Sequence, residues 1–102
     1  MLIIFVTFPT SDEAEALASA IIEEKLAACV QILPNMTSVY LWENAVQKEN
    51  ECLMLIKTLP EKWEALREFI TANHSYDIPE IIAIGAEKIY GPYLDWIGKV
   101  IA

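Results

Sequence analysis

A chain of 102 residues holds one domain, with no length for a second. Apolar residues make up 55% of it, above the roughly 45–50% usual for a soluble domain, and so small a domain has too little interior to take them all. Fifteen acidic residues stand against seven basic ones, for a net charge of −8, which argues against contact with nucleic acid, where phosphates need Lys and Arg.

Residues 2–8 are a near-continuous apolar run, as in a strand buried on both faces, and Pro9 ends it. The spacing of Ala14, Leu17, Ala18, Ile21 and Ile22 predicts an amphipathic helix over 11–25. Thr10 and Glu13 have capping-box spacing at its start. A second strand runs over 27–33, is interrupted near Pro34-Asn35, and resumes over 37–43. A polar hairpin around Asn44–Asn50 leads to a strand over 51–58. Thr58 and Glu61 form a second capping box, with Pro60 in the first turn. The helix that follows carries Trp63, Leu66, Phe69 and Ile70 as its apolar stripe. Residues 80–86 form a last core strand, and Gly91-Pro92 opens a C-terminal helix.

The order βαββαβ is the split βαβ arrangement. The expected fold is therefore a single α+β domain, residues 1–102, of ferredoxin-like topology: an antiparallel four-stranded sheet, two helices on one face, and an extra C-terminal helix. The longest apolar runs, Leu2–Val6 and Ile81–Ile84, fall far short of the ~20 residues that span a bilayer. The N-terminus lacks the basic segment and cleavage site of a secretory signal. Cys29 and Cys52 have no CxxC spacing, so both read as reduced thiols of a cytoplasmic protein.

The strands do not alternate apolar and polar as a one-sided sheet should. Leu53 and Leu55 point one way, and Cys52, Met54 and Ile56 the other. Val39 and Leu41 likewise oppose Tyr40 and Trp42. Two helices cover one face only, so the second face calls for other subunits. The long hairpin Thr37–Thr58 is the natural arm for strand pairing between them.

Topology alone leaves function open. An iron–sulfur cluster needs four Cys, and the chain has two. Copper-chaperone domains place CxxC after the first strand, where this chain has Thr7-Phe8-Pro9-Thr10. Acylphosphatases need an Arg there, and the one Arg is Arg67. Acidity opposes an RNA-recognition motif.

Six segments carry a more specific resemblance: Phe5–Pro9, Glu24–Val30, Ser38–Trp42, Leu55–Thr58, His74–Ile81 and Tyr93–Ile97. Their order and spacing resemble those of the CutA family, the divalent-cation-tolerance proteins, along the whole chain. The blocks Lys25-Leu26-Ala27-Ala28-Cys29 and His74-Ser75-Tyr76-Asp77-Ile78-Pro79-Glu80 are the most specific parts. The resemblance implies a tight homotrimer, its hairpins locked edge to edge as in the PII signalling proteins. It implies a role in tolerance to copper and other divalent cations, and no enzymatic activity. Three positions depart from the family pattern. Ser75 replaces a usual Pro, Asn44 a usual Gly, and Val6 a first-strand Cys that some members use for copper.

The candidate metal ligands are His74, Asp77 and Glu80, with Cys29 as a further one; imidazole and carboxylates suit Cu(II) or another divalent cation, weakly bound. The alternatives stay open: a His stabilising a helix C-terminus, a solvated Glu80, and a Cys29 acting as a small hydrophobe. Lys57, before a helix N-terminus, suits a small anion, with Tyr40, Trp42 and Tyr76 placed near it by family analogy in a cleft between subunits. That is the PII-like alternative, acting through an unidentified protein partner. Against it stand a snorkelling Lys57 and interface packing by Tyr40 and Trp42.

Overall fold

The computed structural model describes residues 1–102. Its elements are β1 (Leu2–Phe8), α1 (Ser11–Glu23), β2 (Cys29–Trp42), β3 (Ala45–Thr58), α2 (Trp63–Asn73), β4 (Ile81–Gly85) and α3 (Gly91–Ile101), with a 3₁₀ turn Pro60–Lys62 before α2. One antiparallel sheet has the order β2-β3-β1-β4. This is the α+β, ferredoxin-like arrangement with an added C-terminal helix.

The core lies between this sheet and the first two helices. Ile4, Val6 and Phe8 of β1 and Cys52, Met54 and Ile56 of β3 point into it, against Ala14, Leu17 and Ile21 of α1 and Leu66 and Ile70 of α2. A smaller cluster, Ala28, Ile97 and Ile101, packs α3 at one end of the sheet.

The Thr10 hydroxyl accepts from the Glu13 N–H at 3.2 Å and caps α1 as predicted. Its helix stops at Glu23, because Lys25 adopts φ 55°. The Lys25 and Leu26 N–H groups then donate to the Ile22 and Ile21 carbonyls, at 3.0 and 3.1 Å, closing a Schellman turn.

Two sequence expectations are corrected here. Thr58 does not cap α2. It is a fully buried strand residue whose Oγ1 donates to the Leu26 carbonyl at 2.7 Å. The hairpin is also tighter than expected. Glu43 and Asn44, at φ 49° and 63°, make a two-residue turn of the kind that matches strand twist. β3 therefore starts at Ala45, and β2 and β3 are each 14 residues long. At ~3.3 Å per residue they reach roughly 46 Å, the long dimension of a 46 × 26 × 22 Å molecule.

Pro34-Asn35 interrupts nothing more than the register. Leu33 pairs with Leu53 and Met36 with Glu51, so two residues of β2 face one of β3. That is a β-bulge, and Asn35 takes φ 59° within it. Beyond the bulge the hairpin becomes an arm. β1 pairs with β3 only as far as Phe8 and Cys52, so residues 45–51 have β2 alone beside them.

The second face carries cross-strand apolar rows. Leu55, Phe5 and Ile82 form one, ending at Gln31, and Leu33 and Leu53 another, ending at Thr7. Leu33, Ile82 and Ile84 are close to half exposed, at 48–49%. Lys57, on the same face, sits with its Nζ 5.6 Å from the centre of the Tyr93 ring. α3 thus shields the Lys57 end and leaves the middle of the face bare. No helix is long and apolar enough to cross a membrane.

Candidate functional site

A cleft of about 740 Å³ opens on that second face, at the end away from α3. The arm builds one wall. Tyr40 and Trp42 of β2 pair with Gln47 and Ala45 of β3, and the alternation of β3 puts Gln47, Glu49 and Glu51 on the same face as they are. The loop between α2 and β4 builds the other wall, with Tyr76, Asp77, Ile78 and Glu80, and Thr7 lies between.

His74 fixes this loop. Its side chain is fully buried. The ring stacks on Phe8 at 4.4 Å and tilts against Tyr76 at 5.0 Å. Nδ1 accepts from the Tyr76 N–H at 3.0 Å. With that nitrogen an acceptor, Nε2 carries the proton and donates to the Thr7 carbonyl at 2.8 Å. Both nitrogens are used within the chain. Ser75 adds a second anchor, its N–H and Oγ both donating to Glu13 Oε2, at 3.1 and 3.0 Å.

Across the cleft, the Tyr76 hydroxyl donates to Glu51 Oε2 at 2.9 Å. Burial, and then this hydrogen bond, push the Tyr76 phenol above its ordinary range. The Glu49 carboxylate raises the Tyr40 phenol in the same direction. Two phenols and two carboxylates thus face one another inside the cleft.

The predicted site residues divide into three groups. Asp77 and Glu80 line the cleft, together with Tyr40, Trp42 and Tyr76. His74 lies behind the cleft wall, with both ring nitrogens hydrogen-bonded within the chain. Cys29 and Lys57 are register partners. Lys57 stands six residues along β3 from Glu51, roughly 20 Å at ~3.3 Å per residue, so neither lines this cleft. Among His, Cys, Asp and Glu, no three side chains are grouped to hold a metal ion.

Gln47, Glu49 and Glu51 were not among the expected residues. The polar stretch from Asn44 to Asn50 reads as a loop. Only a two-residue turn at Glu43-Asn44 turns it into a strand with an acidic face. Four carboxylates then line the cleft, from Glu49, Glu51, Asp77 and Glu80, with no Lys or Arg beside them. That lining opposes an anion.

The chain is a ferredoxin-like domain with an acidic, aromatic-walled cleft on its uncovered sheet face. The family model described as "CutA1 divalent ion tolerance protein" matches residues 2–100. The "Divalent-cation tolerance protein CutA" of Thermus thermophilus is 39% identical over 95 residues, covering 93% of this chain and 92% of that protein. The "Protein CutA, chloroplastic" of Arabidopsis thaliana is 44% identical over 96 residues, covering 94% and 53%. The solved "Periplasmic divalent cation tolerance protein CutA from Archaeoglobus fulgidus" is similar along 100% of both chains, with a TM-score of 0.95 and 39% identity. The chain belongs to the CutA1 divalent ion tolerance family. It spans about half the length of the plant and mammalian relatives it matches.

Proposed function

We propose that this chain serves tolerance to divalent cations as a cytoplasmic homotrimer that binds Cu(II) or a similar ion weakly, without catalysing a reaction. The observation that carries the reading is the charge of the cleft, whose lining holds four carboxylates and no basic side chain. Asp77 and Glu80, both exposed on the loop, are the contact residues. Carboxylate oxygens without imidazole or thiolate are poor selectors for copper, which fits weak binding. A closed coordination shell needs groups from a second copy. The single histidine has both ring nitrogens engaged, so it is not placed as a general base.

Self-assembly accounts for the bare apolar rows and for the unpaired edges of the arm. Nothing in the cleft favours the PII-like anion reading, since Lys57 lies at the other end of the sheet.

Calorimetric titration with Cu(II) tests the metal reading. The double variant Asp77→Asn, Glu80→Gln should bind several-fold more weakly, and Lys57→Met, at the other end of the sheet, should bind as the parent does. Unchanged affinity in the carboxylate variant overturns it. Sedimentation tests the assembly: a mass of three chains is expected, and a folded single chain at micromolar concentration overturns it.

A further inference from the structure

Three features of the cleft go beyond what weak binding of a metal ion uses. The first is aromatic: Tyr40, Trp42 and Tyr76 converge on it from two separate elements. Ring faces attract an organic cation through their quadrupole and give a hydrated metal ion little. The second is Glu51. It is only 7% exposed, its Oε2 has one neutral donor in Tyr76, and none of the chain's ion pairs includes it. A carboxylate so buried calls for a compensating charge. The third is size. A volume of 740 Å³ falls within the roughly 300–1,000 Å³ of pockets for small organic ligands, and the carboxylates are spread around it rather than gathered on one point.

We propose that the cleft binds a small organic cation, a primary ammonium or guanidinium group on a short aliphatic body. Glu51 takes the charged head, whose several N–H donors match a carboxylate acceptor. Tyr40, Trp42 and Tyr76 supply ring faces to the head and the aliphatic body. Glu49, Asp77 and Glu80 draw the cation in. The same chemistry is carried by a free alkylamine and by the Lys or Arg side chain of a peptide. This inference goes beyond the metal reading and does not rest on it.

The test is calorimetry on the full chain at low ionic strength, in the assembly it forms. The probes are 1,4-diaminobutane, butylguanidinium, Nα-acetyl-lysine methylamide and the uncharged 1,4-butanediol. The cations should bind and the diol should not. Glu51→Gln, which keeps an acceptor for Tyr76 but removes the charge, should weaken the cations about tenfold or more. Trp42→Ala, at a position 62% exposed in the single chain, should weaken them several-fold with the sedimentation mass unchanged. Lys57→Met, outside the cleft, should leave binding unchanged. Tighter binding of the lysine amide than of the diamine identifies a peptide as the source, and the reverse identifies a free amine; either supports the site. Equal binding of the diol, absence of cation binding at millimolar concentration, or indifference to both cleft variants overturns it. Cu(II) affinity kept in Glu51→Gln while amine binding falls supports two separate modes. A parallel loss of both overturns the inference in favour of a general charge effect.

Discussion

Ser75 and Glu13 lie 62 positions apart and meet at a single carboxylate oxygen, which accepts from both the N–H and the Oγ of Ser75. A proline at position 75, usual in the family, has no N–H to give. In this chain, hydrogen bonds to α1 do the work of a stiff ring. They tie one wall of the cleft to the helix layer.

The first prediction concerns that tie. Glu13→Ala should cost about 1–2 kcal/mol, the range for losing hydrogen bonds to a charged acceptor at a part-exposed site. Amide hydrogen exchange of residues 75–80 should quicken while that of β1 and β3 stays slow. Uniform quickening across the sheet would show that Glu13 acts on global stability and not on the loop.

Tyr76 gives the second. Its folded pKa lies above the ordinary value, first through burial and then through the bond to Glu51. The neutral phenol is thus favoured by folding. Its contribution is fully present below the unfolded value of about 10 and is lost as pH rises from there toward the folded value. Urea midpoints should therefore fall above about pH 10. Tyr76→Phe should be less stable at pH 8 by about 1 kcal/mol and should show a shallower alkaline decline. An identical pH profile in the variant would remove Tyr76 as the cause.

The third concerns Lys25, held at φ 55° where α1 ends. A residue with a Cβ is strained in that region and glycine is not. Lys25→Gly should raise stability by about 0.5–1 kcal/mol, read as a higher urea midpoint at fixed protein concentration. A lower midpoint would mean that the lysine side chain makes a contact worth more than the strain.

Element order and core faces were legible because burial repeats with the period of each element. Ala14, Leu17 and Ile21 fall on one helical stripe, and Met54 and Ile56 on one strand face. Of the special backbone positions, Asn44 was legible as a turn residue, while Lys25 and Glu43 were not. Glu43 does not advertise a left-handed turn as Asn-Gly would, so the first half of β3 was hidden, and with it the placement of Gln47 and Glu49 on one face with Glu51. Thr58 illustrates a related limit. Thr-x-x-Glu has the spacing of a cap, but the buried Leu26 carbonyl competes for the same hydroxyl, and that competition is tertiary. His74 could be recognised as special from its neighbours. Whether its nitrogens meet a metal or the chain depended on Thr7, 67 positions away.

The last prediction addresses the uncovered face. Ile82 is 48% exposed and sits in the row with Phe5 and Leu55, on the side of the sheet away from α1 and α2. Burying this row against other copies removes apolar surface from water at about 25 cal/mol per Å². A lysine there would bring an unpaired charge into the interface, which costs several kcal/mol for each copy. Inside one subunit the same change is mild, because a half-exposed lysine can reach solvent. Ile82→Lys should therefore lower the sedimentation mass toward one chain while the far-UV circular dichroism stays that of the parent. Loss of the spectrum along with the mass would mean that the subunit does not hold its fold alone. Retention of the full mass would place the contact between copies somewhere other than this row.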